Sequence, residues 1–127
     1  MTEIFYTKEH EWVRIDHEVA VCGITDYAQK ALGDIVYVEL PDLGHKAVQG
    51  EQIAVVESAK AASEVYAPLD GEVLEVNDMI ANDPAKVNAS AMGDGWFFKI
   101  RLSDPPQVDK LMTESEYQAY LKDLVTA

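Results

Sequence analysis

Lys60 is the residue of this 127-residue chain whose neighbours invite covalent chemistry. It stands in Glu57-Ser58-Ala59-Lys60-Ala61-Ala62-Ser63-Glu64, between two apolar, strand-like runs. Ala59 and Ala61 leave the lysine unobstructed, which a side chain that must enter several deep active sites requires. Glu57 and Glu64 give the turn acidic shoulders that a modifying or partner enzyme can read. As a catalyst Lys60 is badly placed. A Schiff-base lysine sheds its proton through burial or cationic neighbours, and the neighbours here are acidic. Acylation suits it better, because an amide removes the charge and makes the stem the root of a longer arm. Taken alone, the segment favours an ordinary solvated turn lysine, because small-residue lysine turns are frequent.

The remaining reactive residue types argue against other chemistries. Cys22 is the single cysteine, so no internal disulfide forms, and its apolar run 19–24 predicts a small buried strand residue. His10, His17 and His45 lack metal-ligand spacing. No Gly-rich phosphate loop or Ser-His-Asp set is visible. Asp and Glu total 23 against 10 Lys and Arg, a formal net charge of −13. A field of that sign repels nucleic acid and anionic membranes, and it favours solubility and encounter with basic protein surfaces. No apolar run approaches the roughly 20 residues of a spanning helix. The N-terminal residues carry no basic targeting segment, which leads us to expect a bacterial cytoplasmic protein, or a processed protein of the mitochondrial matrix.

The elements that must hold Lys60 are mostly short strands. We expect them at 11–15, 19–23, 35–40, 52–57, 63–67, 71–76 and 96–102, within one domain spanning 1–127. Turn residues separate them, as in Pro68-Leu69-Asp70-Gly71 and Gly93-Asp94-Gly95. The spacing predicts a small β sandwich or barrel. A helix is expected over Asp26–Leu32, capped by Thr25 and ended by Gly33. Thr113-Glu114-Ser115-Glu116 has capping-box spacing, followed by Tyr117, Tyr120, Leu121 and Leu124 on one helical face that should pack on the sheet. Gly50-Glu51 and Gly71-Glu72 each precede an apolar run, and Lys60 lies near the midpoint between them. The pattern is a weak two-fold repeat with the lysine at its centre.

Four segments together resemble the glycine cleavage H proteins. They are His10-Glu11-Trp12-Val13, the run from Gly23 to Pro41, Glu57-Ser58-Ala59-Lys60-Ala61 with Ser63-Glu64, and Ala67-Pro68-Leu69-Asp70-Gly71-Glu72-Val73. Val87-Asn88 and Gly95-Trp96 with Lys99-Ile100 extend the likeness to nearly the whole chain. The run 23–41 is the most specific, since biotinyl domains and ordinary lipoyl domains lack it. Ala91-Met92-Gly93 and Glu9 depart from the family pattern without touching the lysine motif.

The resemblance implies a barrel-sandwich (lipoyl-like) fold with short flanking helices. It implies lipoate in amide linkage to Lys60 and a carrier rather than an enzyme. The partners it implies are a glycine decarboxylase that loads an aminomethyl group, an aminomethyltransferase that removes it, and a dihydrolipoamide dehydrogenase that reoxidises the thiols. Lipoate-attaching enzymes complete the set. Glu11 and Glu64 match acidic positions of a cleft into which the loaded arm folds. A carboxylate there would hold the cationic amine, while a solvated surface role is the plain alternative for both. Trp12 is expected to anchor its segment in the core.

Besides the catalytic lysine excluded above, three rival carriers share part of the pattern. A lipoyl domain of a 2-oxoacid dehydrogenase typically has Asp before the lysine, where this chain has Ala59. A biotin carrier resembles Met-Lys-Met at the tip, which is absent. A stand-alone lipoyl donor for other proteins would look the same as the glycine cleavage carrier.

Overall fold

The strands form because alternate residues find an apolar face to cover. The computed structural model describes residues 3–126, with side chains described up to Asp123. Strands β1 (Glu3–Tyr6), β2 (Glu11–Asp16) and β3 (Val19–Ile24) run antiparallel in sequence. Helix α1 (Asp26–Leu32) follows, then β4 (Ile35–Glu39), β5 (Lys46–Ala47), β6 (Gln52–Ser58), β7 (Ala62–Tyr66) and β8 (Gly71–Val76). Two short helices, α2 (Asp78–Asn82) and α3 (Ala85–Ala89), precede β9 (Phe98–Leu102). A 3-10 turn at Pro105–Lys110 leads to the C-terminal helix α4 (Glu114–Thr126).

Two antiparallel sheets result, one ordered β1-β2-β3-β9-β8-β5 and one ordered β4-β6-β7. Register explains the core. Val13 opposes Cys22 and Cys22 opposes Phe98, while Ala20 and Val73 both oppose Ile100, so these side chains share one face of the larger sheet. They pack against Val38, Ala54, Val56 and Val65 of the smaller one. Each fully buried Val, Ile or Phe side chain among them contributes about 1.5–3 kcal/mol relative to exposure. The opposite face of the large sheet is covered as well. There Trp12, fully buried, opposes Gly23 and packs with Tyr6 and Tyr117 from α4. A Cβ on Gly23 would stand 2.8 Å from the indole nitrogen, so the missing side chain makes room for the ring. Trp12 Nε1 donates to Ala91 O at 2.9 Å, which seats the departing 91–93 loop on the core.

The expected mainly β architecture with short helices is the one observed. Thr25 caps α1 through Ala28 N–H and Gly33 closes it at φ 90°. The capping box of α4 forms, with Glu116 N–H on the Thr113 hydroxyl and Thr113 N–H on the Glu116 carboxylate. Tyr117, Tyr120 and Leu121 pack on the Trp12 cluster, while Leu124 lies outside the described side chains. Cys22 is buried, and burial pushes its thiol well up.

Other expectations need correction. The last strand begins at Phe98 rather than at 96, because Trp96 sits in the turn that follows Gly93. β1, β5, α2 and α3 were not expected. The runs after Gly50 and Gly71 do form strands as expected, β6 and β8, one in each sheet. Gly50 is needed for its φ of 87°, whereas Gly71 is needed because a Cβ would collide with Arg101 O.

Candidate functional site

Lys60 occupies the tip of the β6–β7 hairpin and is exposed. One hydroxyl makes the turn. Ser58 Oγ accepts N–H bonds from Lys60 and Ala61 at 3.2 and 3.0 Å and donates to Ala61 O at 3.2 Å. Ser58 N–H also donates to Ala61 O, at 2.7 Å. A Ser side chain reaches these backbone groups because they lie two and three residues ahead, the ordinary geometry of a hydroxyl-closed turn. The tip is also tied to the α1–β4 connection, where Asp34 O accepts from Ala59 N–H at 3.2 Å. The lysine stem passes over Gly33, where a Cβ would come within 3.2 Å of Lys60 Cε. No carboxylate pairs with Lys60 among the described residues.

Glu11 sits very differently. It lies on β2, only 3% exposed, at the wall of a cleft of about 340 Å³ that Thr7, Glu9, Gln49, Tyr66 and Pro68 also line. Its Oε2 accepts the Tyr66 backbone N–H at 2.7 Å and its Oε1 accepts the Thr7 hydroxyl at 3.1 Å. His10, at φ 66°, lies in the tight turn that brings Thr7 back onto Glu11. Burial pushes the Glu11 carboxyl up to about 7, against the opposing pull of its two hydrogen bonds. The plain alternative of a solvated surface carboxylate is therefore wrong for Glu11. Each carboxylate oxygen has a lone pair left over, so the group can still accept a charged donor from the cleft.

Glu64 remains an exposed side chain on β7. It stands outside the Glu11 cleft, in a separate groove with Gln52, Val55, Ala62 and Ser63. Tyr66 joins the two carboxylates, because its hydroxyl donates to Glu64 Oε2 at 2.8 Å while its backbone N–H holds Glu11. β7 thus runs from the Lys60 turn past Glu64 to the Glu11 cleft. The path from Ala62 to Tyr66 is roughly 13 Å at an ordinary strand rise. Tyr66, Thr7 and Gln49 were not singled out from the sequence. Thr7, four residues before Glu11, carries a local signal as a side chain able to cap a tight turn. Tyr66 carries none.

The comparisons with known proteins decide the family. Residues 4–124 match the family described as "Glycine cleavage H-protein". The chain belongs to this family. It is 56% identical over 124 residues to a glycine cleavage system H protein of Parvibaculum lavamentivorans, covering 98% of this chain and 99% of that one. It is 52% identical over 125 residues to one of Rhodospirillum rubrum, with coverage of 98% and 99%. The crystal structure of a glycine cleavage system H protein from Mycobacterium marinum superposes with a TM-score of 0.88 at 35% identity, over 94% of this chain and 97% of that chain. The resemblance carried by the run 23–41 and the lysine motif is thereby borne out, and the family favours glycine cleavage over the rival carriers. No helix among the described residues is long and apolar enough to cross a membrane.

Proposed function

We propose that the chain carries lipoate in amide linkage to Lys60 and works as a mobile carrier in glycine cleavage, not as an enzyme. One observation carries the reading. A single strand, β7, has an exposed, braced lysine turn at one end and a cleft with a buried carboxylate at the other. The small residues beside Lys60 and its exposure at the hairpin tip fit a long acyl arm.

When bound, lipoate supplies a disulfide that accepts an aminomethyl group and, once reduced, carries electrons. The chain's own residues present the arm and store it. Ser58 keeps the turn closed so that Lys60 points outward. Glu11 would accept a hydrogen bond from the cationic amine of a loaded arm that reaches the cleft. Glu64 guides the arm along β7. The partners are the glycine decarboxylase, the aminomethyltransferase and the dihydrolipoamide dehydrogenase, together with enzymes that attach lipoate. A bacterial cytoplasmic setting is supported by bacterial relatives.

Lys60→Arg tests the attachment point. It keeps the charge and cannot form the amide. Intact mass after expression with lipoate should show the lipoyl adduct on the wild type and none on the variant. An adduct on Lys60→Arg would overturn the reading.

A further inference from the structure

The base of Lys60 is wrapped by a segment distant in sequence. Gly33 lies beneath its stem, Asp34 O takes the Ala59 N–H, and Ile35 pairs with Ser58. Just beyond, the ladder shifts between Ile35 and Tyr37. A regular strand would turn one of two successive side chains inward, but here the irregularity leaves both large ones outside. Val36 is 58% exposed and Tyr37 45%.

The backbone leading into this apolar pair is braced. The Tyr37 hydroxyl donates to Glu39 Oε2 at 3.2 Å. From behind, Asn88 accepts the Ile35 N–H at 2.8 Å and donates to Gly33 O at 2.9 Å and Gln29 Oε1 at 2.8 Å. Asp34, Glu39 and Glu57 stand around the pair as carboxylates. An exposed aromatic and a branched aliphatic inside an acidic rim have the make-up of an interface centre.

Reach selects the partner. Enzymes that use a finished arm meet its far end. The enzyme that builds the amide meets only the bare lysine stem, so its surface must come within one side-chain length of Lys60. It must then cover the segment on which that stem rests. We propose that Gly33 to Tyr37 is the docking surface for the enzyme that acylates Lys60. That partner presents an apolar socket for Val36 and Tyr37 inside a basic rim that faces Asp34, Glu39 and Glu57. The proposal rests on the assignment of Lys60 above. The step it serves is attack of the deprotonated Lys60 amine on the carbonyl of a lipoyl adenylate. The N–C bond forms, the C–O bond to AMP breaks, AMP leaves with the electron pair, and the amine proton passes to solvent.

The test uses the full unlipoylated chain with a lipoate–protein ligase, lipoate and ATP, followed by intact mass. The double variant Val36→Ser/Tyr37→Ser should raise KM for the chain, and the Kd of chain and ligase by calorimetry, by about tenfold. Its thermal midpoint should stay unchanged. Tyr37→Phe keeps the ring and should restore most of the affinity when Val36 is intact. Leu43→Ser/Val48→Ser, which alters two other exposed apolar residues, should behave as wild type. Once lipoylated, the Val36→Ser/Tyr37→Ser chain should be reduced by dihydrolipoamide dehydrogenase within about threefold of the wild-type rate. Unchanged KM and Kd, a loss confined to kcat, or equal losses in both enzyme assays would overturn the docking surface. Wild-type acylation at Lys60 alongside those outcomes leaves the attachment site standing, whereas acylation of Lys60→Arg removes the attachment site itself.

Discussion

The hairpin tip and the cleft at the two ends of β7 are built by opposite means. Lys60 is exposed and is held by a hydroxyl two residues away. Glu11 is 3% exposed and is held by a backbone N–H 55 residues away. The difference matches the roles proposed for the two residues. A side chain that travels needs water around it and a turn that closes on local contacts. A carboxylate that must grip a cation needs a low-dielectric wall, because charge interactions strengthen as water is removed. That wall has to be assembled from distant parts of the chain, and it leaves the carboxyl raised to about 7.

The comparison breaks most sharply at Glu11. In the folded chain this carboxyl ionises near 7, against an ordinary 4.5, so between those values the unfolded chain is ionised and the folded chain is not. The unfolded state then binds fewer protons, and stability falls as pH rises from about 4.5 to 7. The expected loss is on the order of 3 kcal/mol, complete above 7. Glu11→Gln should flatten that slope in denaturant titrations from pH 5 to 8. The same variant should shorten the lifetime of the aminomethyl-loaded form about tenfold, since a charged hydrogen bond is worth about 1.5–3 kcal/mol. In the wild type that lifetime should lengthen as pH rises through 7, because only the ionised carboxylate attracts the amine. Spontaneous formaldehyde release without the aminomethyltransferase measures it, and a release rate equal in both proteins would take Glu11 out of the site.

The next effect is steric and belongs to the cleft side alone. Gly23→Ala puts a methyl 2.8 Å from the Trp12 indole, the neighbour of Glu11 in β2. Overpacking of this kind costs about 1–3 kcal/mol. Urea unfolding should show that loss, while the rate of lipoylation at Lys60 stays as in the wild type. Slower lipoylation of the folded variant would mean that the two ends of β7 are coupled.

The smallest effect is expected at the tip. Ser58→Ala removes three contacts made by one hydroxyl in a partly exposed turn. The cost to stability should be about 1 kcal/mol. Lipoylation should slow by several-fold, because Lys60 is no longer presented in one geometry, and the pH slope assigned to Glu11 should be unchanged. A wild-type lipoylation rate would show that the ligase imposes the turn on its own.

The legible parts of the fold were those encoded within a few residues. Thr25 and Gly33 bounded α1, and Thr113 with Glu116 opened α4, because caps satisfy backbone groups one turn away. Helices α2 and α3 were missed, although Asn77 accepts Met79 N–H as a cap. Their five residues each are too short for a helical period to show. β1 was missed because four residues give only two turns of alternation, and what holds Tyr6 is its ring stacked 4.5 Å from Tyr117.

The sequence by itself determined the lysine turn, the strand periods and the family likeness. The turn and the strand periods rest on contacts or spacings that span a handful of residues, while the likeness is read from several such short segments spread along nearly the whole chain. Only the tertiary structure decided which carboxylate is buried. Glu11 and Glu64 look alike in sequence, yet one is enclosed by Thr7, Tyr66 and Pro68 and the other faces water. Dielectric environment is a property of everything within several ångströms, and most of what surrounds Glu11 comes from β7 and the turns beside it, which the chain reaches only after folding.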